Sequence, residues 1–184
     1  ISFSVEKGQR VGLVGESGCG KTTTLKAILR VLAKNGSIDG GDVEFEGMSI
    51  YDMRPDDLAH MRQTGVGMIF QDPSSALNPV FTIESQFLTA LKYAYKKTKS
   101  KAELRQIAIE SLENVMLADP ERIMGSYPFQ LSGGMRQRVC IAITIAAGRK
   151  VLLADEPGTS LDVTIQDQIL RLINKLVEDK HLSV

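Results

Sequence analysis

Residues Gly15 to Thr22 read GESGCGKT, between a short apolar-rich segment, Arg10 to Val14, and a stretch of helical pattern from Lys21 to Leu32. The spacing is G-x-x-x-x-G-K-[ST], after a predicted strand and at the opening of a predicted helix, which is the context that gives the pattern chemical meaning. Glycines let successive backbone N–H groups turn inward around phosphate oxygens, the helix N-terminus adds a favourable dipole, and Lys21 is placed to reach β and γ phosphates. Thr22 can offer its hydroxyl to magnesium. A dinucleotide-binding reading fails, because Gly15, Gly18 and Gly20 do not give G-x-G-x-x-G. A plain glycine-rich turn leaves the strand and helix on either side unexplained.

Two further segments carry chemistry. In VLLADE the apolar run Val151 to Ala154 delivers Asp155 and Glu156 to the end of a buried strand, where acids are costly without a cation. Asp155 suits the shell of a magnesium ion, and Glu156 suits the base that orients and deprotonates an attacking water. Read alone, the pair is also a helix N-cap and its neighbour. In LSGGM, Leu131 to Met135, a helix opens on a serine and two glycines. Ser132 can cap while Gly133 and Gly134 expose N–H groups to a second phosphate.

The surrounding pattern is α/β. Asp42 to Phe45 and Met48 to Tyr51 read as a small antiparallel β excursion around Gly47; Pro55, Asp56 and Asp57 open a short helix; Val66 to Phe70 is a second buried strand, ending at Gln71. From Asp72 the pattern turns helical, with Phe87, Leu88, Leu91, Ala94 and Tyr95 and then Leu104, Ala108, Leu112 and Val115 at helical spacing. Ser100 and Glu103 stand at capping-box spacing. After Leu131 come a helix from about Gly133 to Ala147, the strand Val151 to Ala154, and a helix with Ile165, Ile169, Leu172, Ile173 and Leu176 on one face. Strands separated by helices imply a mainly parallel sheet with crossovers. The division this predicts is an α/β core carrying the phosphate-type loop over 1–71 and 131–184, interrupted by a helical subdomain over 72–130.

Taken together, GESGCGKT, Gln71, LSGGM, LLADE and Ser160, Leu161, Asp162 resemble the P-loop, Q-loop, signature, Walker-B and D-loop segments of ABC ATPases, in order and spacing, over essentially the whole chain. FQDPSSALNPVFTI at Phe70 to Ile83 and SYPFQLSGGMRQRV at Ser126 to Val139 are similar to the ATP-binding subunits of oligopeptide, dipeptide and nickel importers. The resemblance implies a P-loop NTPase fold and the cofactors ATP and Mg2+. Gly15, Glu16, Ser17, Gly18, Cys19, Gly20, Lys21, Thr22 and Thr23 would hold the nucleotide; Ser132, Gly133 and Gly134 would bind it in trans, from a second ATP-binding subunit. Thr22, Gln71 and Asp155 would face the metal, with Glu156 and Gln71 catalytic. It further implies transmembrane permease subunits as partners, a solute-binding protein indirectly, and a place on the cytoplasmic face of the cell membrane. Met135, in place of the glutamine common in the signature, fits the peptide-importer subgroup. Gly158, where a threonine is more usual, is expected to loosen the D-loop.

The family's adenine-stacking aromatic and switch histidine are not among these residues. His181 precedes a predicted strand at Leu182 to Val184 and reads as a solvated loop histidine; His60 reads as structural or exposed. The alternating Ile1, Ser2, Phe3, Ser4, Val5 reads as a strand already under way, so the chain is expected to be truncated at both ends, with weak binding and slow turnover in isolation. The rival function is a soluble ABC ATPase acting on nucleic acid or ribosomes, but only a compact helical stretch separates Gln71 from the signature, where such relatives carry long coiled coils. A non-catalytic binding module is opposed by Lys21, Asp155 and Glu156 together.

Composition agrees. The 184 residues are 43% hydrophobic and 24% charged, with Lys plus Arg and Asp plus Glu both 22, so no global field favours nucleic acid or anionic lipid. The lysines Lys92, Lys96, Lys97, Lys99 and Lys101 read as a solvated helix end. Cys19 and Cys140 form no metal or disulfide spacing, which fits a reducing compartment. Cys19, beside a helix N-terminus and Lys21, is expected to be the more reactive thiol. The longest apolar stretch, Val139 to Ala147, falls well short of the roughly 20 residues that span a bilayer.

Overall fold

The computed structural model describes residues 1–96 and 98–184; Lys97, one of the five clustered lysines, lies outside the described residues. Helix α1 (Lys21–Ile28) follows the glycine-rich loop, and β1 (Glu44–Phe45) and β2 (Met48–Ser49) form the small antiparallel hairpin around Gly47. Helix α2 (Pro55–His60) opens on its proline and runs into a π-helical turn, Met61–Gly65, which feeds β3 (Val66–Ile69). Helices α3 (Pro73–Ala76), α4 (Ile83–Ala94), α5 (Lys101–Asn114) and α6 (Pro120–Gly125) follow, then α7 (Gly133–Ala146), β4 (Val151–Ala154) and α8 (Val163–Lys180).

The sheet is parallel. β3 pairs with β4 from Val66↔Val151 to Ile69↔Ala154, and Ser183 adds a parallel bridge to Val151. Val184 donates to Gln9 O (2.9 Å) and accepts from Val11 N (2.8 Å), again in the parallel pattern. The order across the sheet is therefore 66–69, 151–154, 183–184, 9–11, and the two segments that carry Gly15 and Asp155 end on the same edge. This is the P-loop NTPase arrangement, in which ligands sit outside the carboxyl ends of parallel strands.

Three expected strands are not formed as ladders. Residues 1–5 make no backbone hydrogen bond among the described residues, and Phe3 and Val5 are exposed. In 10–14 only Val11 is tied, through Val184, and Val14 is 98% exposed. Alternation supplies the side-chain pattern of a strand, but pairing requires a neighbour, and here residues 183–184 supply one only beside 9–11. Likewise 182–184 is reduced to single bridges.

Helix α1 stops at Ile28, short of the predicted Leu32. Arg30 takes φ +52, and the bonds Arg30 N→Ala27 O and Val31 N→Lys26 O close a Schellman end with a non-glycine residue in the left-handed position. Arg62 supports it by donating to Leu29 O and Arg30 O. His181 ends α8 in the same way, at φ +52 with Leu182 N→Val177 O, so it is an exposed capping residue.

The main core joins Phe87, Leu91, Leu112, Ile123, Ile141, Leu152, Ile169 and Leu172, uniting α4–α6 with α7, α8 and the sheet. A second cluster, Leu29, Ile50, Leu58, Met61, Val66 and Met68, packs α1, the hairpin and α2 on β3. Ser100 and Glu103 form the expected capping box on α5. Among the described residues, no helix is long and apolar enough to cross a membrane.

Candidate functional site

The loop 15–20 turns through Gly18 (φ +81) and Gly20 (φ +103), left-handed conformations that glycine adopts at no steric cost, and Gly20 places Lys21 at the first position of α1. The Lys21 ammonium folds back to donate to Gly15 O and Glu16 O, both at 2.9 Å, and lies 3.4 Å from Glu156 Oε1. The loop thus curls around a cation, and its rim, Gly15 to Cys19 with Thr23, is exposed. A Cβ at Gly15 would stand 2.6 Å from Cys19 Sγ, so the curl also depends on the first glycine.

β4 ends against this loop. Thr22 Oγ1 donates to Asp155 Oδ1 at 2.8 Å, and Asp155 is only 5% exposed. Glu156, next along, holds φ +45, a strained left-handed conformation of the kind that concentrates at functional sites. It turns its carboxylate toward Lys21 and toward Gln71, whose Nε2 donates to Glu156 Oε2 (3.2 Å) and Thr159 Oγ1 (3.0 Å). Ser160 Oγ donates to Gln71 O at 3.3 Å. Three separate stretches of chain thus bring two polar groups side by side, Thr22 with Asp155 and Lys21 with Glu156 and Gln71. Thr159 joins the second group, the Lys21 network, through Gln71. Nothing in the sequence singled out Thr159, whose role depends on a tertiary approach to Gln71.

The donor set fits magnesium. A hydroxyl, a buried carboxylate and a side-chain amide are hard oxygen ligands, and magnesium is normally held by one or two such groups together with substrate phosphates. Among the described residues no group of three or more His, Cys, Asp or Glu side chains is placed to hold a metal ion.

The signature segment lies apart. Ser132 caps α7, accepting from Met135 N at 3.3 Å, and is exposed; Ser132, Gly133 and Gly134 make no hydrogen bond to the Lys21 network among the described residues. Instead the two glycines let α7 approach the loop after β4. A Cβ on Gly133 would lie 3.1 Å from Leu161 Cδ2, and one on Gly134 2.9 Å from Ile165 Cγ2. Gly158 does not loosen that loop. It is buried, and a Cβ there would meet Gln166 Cγ at 2.9 Å, so glycine permits contact with α8 that threonine would obstruct. The two histidines stay outside the network: His60 and His181 are both exposed.

The ABC transporter family model matches residues 1–159. The chain belongs to the ABC transporter family. It is 45% identical over 174 residues to a probable peptide ABC transporter ATP-binding protein of Sinorhizobium fredii, covering 94% of this chain and 51% of that protein. It is 43% identical over 185 residues to an oligopeptide transport ATP-binding protein of Bacillus subtilis, covering 100% of this chain and 56% of that one. The chain spans about half the length of the curated relatives it matches. Among solved structures it is similar to a dimeric ATP-binding cassette in a post-hydrolysis state bound to ADP and Pi, with a TM-score of 0.82 and 31% identity over 97% of this chain and 74% of the other.

Proposed function

We propose that this chain is the ATP-binding and hydrolysing part of an ABC importer subunit that powers uptake of short peptides through separate membrane subunits. The observation that carries the reading is the junction of the P-loop with β4, where the Thr22–Asp155 pair stands beside the Lys21, Glu156 and Gln71 group. The relatives, named for peptide, dipeptide and oligopeptide transport, support peptide over nickel as the solute and give no support to a soluble enzyme acting on nucleic acid or ribosomes.

In this reading the P-loop amides from Gly15 to Thr23 wrap the phosphates, and Lys21 exchanges its two loop carbonyls for phosphate oxygens. Thr22, Asp155 and Gln71 would hold Mg2+, which would neutralise charge on the phosphate oxygens. Glu156 accepts a proton from the attacking water, oriented by Gln71. Ser132, Gly133 and Gly134 serve the nucleotide of a second subunit, because within one chain they stand away from the P-loop network. A two-fold dimer with ATP at its interface satisfies both halves.

The core comprises 1–71 and 131–184, and 72–130 is the helical subdomain that meets the permease. Val80, Phe81, Tyr127 and Phe129 support that assignment. All four are exposed, the backbone bond Ile83 N→Ser126 O joins the start of α4 to the end of α6, and Tyr127 stacks on Phe129 at 5.6 Å. The subunit then sits peripherally on the cytoplasmic face of the membrane. The test is uptake of labelled short peptides by proteoliposomes that hold the full-length subunit, its permease partners and the solute-binding protein. Accumulation dependent on MgATP supports the reading. Hydrolysis without accumulation of any peptide would overturn the transport assignment.

A further inference from the structure

Gln137 lies one turn into α7 and is 1% exposed, a rare burial for a side chain with four hydrogen-bonding positions. Its Nε2 donates to Pro157 O at 3.2 Å, while its Oε1 is buried without a partner. The acceptor belongs to an unusual turn. Gly158 N donates to Glu156 O at 2.7 Å, two residues back, so Pro157 is the centre of a three-residue γ-turn, and its fixed φ suits that position. Glu156 enters the turn at φ +45. The chain after β4 is therefore tightly coiled at the residue that carries the carboxylate, and the carbonyl that points out of the coil is gripped by Gln137.

The same helix starts at Ser132, Gly133 and Gly134. Those two glycines let α7 close on Leu161 and Ile165, just beyond the turn, and Gly158 lets the turn close on Gln166 of α8, so a shift of the start of α7 has little slack in this packing. Gln137 is the polar link across that contact. On the other side of the turn, Glu156 is fastened to Lys21 and Gln71.

We propose that Gln137 is a positioning residue for Glu156: it fixes the Pro157 turn, and through it makes the carboxylate of one nucleotide site responsive to the signature helix that reads the other. The inference rests on the proposed ATPase function and deepens it. Gln137 is buried and bonds to the Pro157 carbonyl, not to the phosphate-loop side chains, so its loss should leave binding intact while displacing the base. A misplacement of about an ångström can cost up to about a hundredfold in rate.

The experiment uses the full-length dimer and Gln137→Met, which keeps length and burial but removes the donor. The expected result is a kcat for MgATP hydrolysis lowered at least about tenfold, a KM within about twofold of wild type, and a loss of cooperativity between the two sites. Gln137→Glu, which puts an acceptor where the donor stood, is expected to behave alike, and it serves if the methionine variant does not fold by circular dichroism. A folded variant with wild-type kcat, or one whose KM rises while kcat holds, overturns the proposal. Glu156→Gln is run beside them. If wild type hydrolyses ATP and Glu156→Gln does not, a normal Gln137 variant defeats this inference alone; if wild type itself does not hydrolyse ATP, the functional reading has failed instead.

Discussion

Replacing Thr22 by valine preserves the shape of the side chain and removes the hydroxyl that donates to Asp155 at 2.8 Å. Asp155 is 5% exposed, so water does not readily replace the lost donor. A hydrogen bond to a charged group contributes about 1.5–3 kcal/mol, and the added methyl recovers little because Thr22 is only half-buried. A net cost of about 2 kcal/mol corresponds to a fall in Tm of roughly 4–8 °C for a chain of this size. Thr22→Ser keeps the oxygen and should fall by no more than about 2 °C. The assay is thermal unfolding by circular dichroism without nucleotide, followed by MgATP hydrolysis. The valine variant is expected to lose both stability and magnesium-dependent turnover, and the serine variant to retain most of each. Equal Tm and equal turnover in the two variants would show that the Thr22–Asp155 contact neither supports the fold nor holds the metal.

Lys21→Ala should lose most ATP affinity by calorimetry, because the charge-assisted contacts to phosphate disappear together with the bonds to Gly15 O and Glu16 O that curl the loop; wild-type affinity would remove Lys21 from the phosphate grip. Gly67→Ala should lower Tm substantially. Its Cβ would stand 2.3 Å from Arg149 Cδ and 2.7 Å from Thr144 Cγ2, and Arg149 is fixed by donating to Arg62 O, Val66 O and Thr144 O. Overpacking of this kind costs about 1–3 kcal/mol, and an unchanged Tm would mean that the guanidinium can move freely. Maleimide should label Cys19 before Cys140, since Cys19 is exposed, whereas burial pushes the Cys140 thiol up to about 12 and closes it to reagent. MgATP should protect Cys19, and labelling indifferent to nucleotide would argue against its place in the phosphate loop.

Much of this was legible in the sequence because local rules and tertiary structure agree. The run Val151 to Ala154 folds as β4, Ser100 and Glu103 cap α5, Pro55 opens α2, and Ser132 caps α7, each as its residue types require. The failures occur where a non-local partner decides. Residues 1–5 alternate and 10–14 are apolar-rich, yet strand structure depends on a hydrogen-bonded neighbour that sequence pattern does not register. Helical pattern ran past Ile28 because Arg30 is no obvious stop signal; it becomes one through Arg62, far along the chain. Gly158 read as a source of looseness, whereas its contact with Gln166 makes it a point of close packing. In the candidate site, motif spacing singled out Lys21, Thr22, Asp155 and Glu156, which the fold brings together, while Thr159 and Gln137 are marked only by their contacts with Gln71 and Pro157.

The central claim is that Glu156 is the base of an ATP-hydrolysing site built on the P-loop, and Glu156→Gln tests it most directly. The substitution keeps size and hydrogen bonding to Gln71 while removing the proton acceptor. Full-length wild type and variant are compared in one experiment that follows bound nucleotide and released phosphate from the same MgATP-loaded sample. The account predicts that the variant retains ATP in a long-lived dimer and that its turnover falls at least about a hundredfold. A variant that binds MgATP and still releases phosphate within a few-fold of the wild-type rate would contradict it.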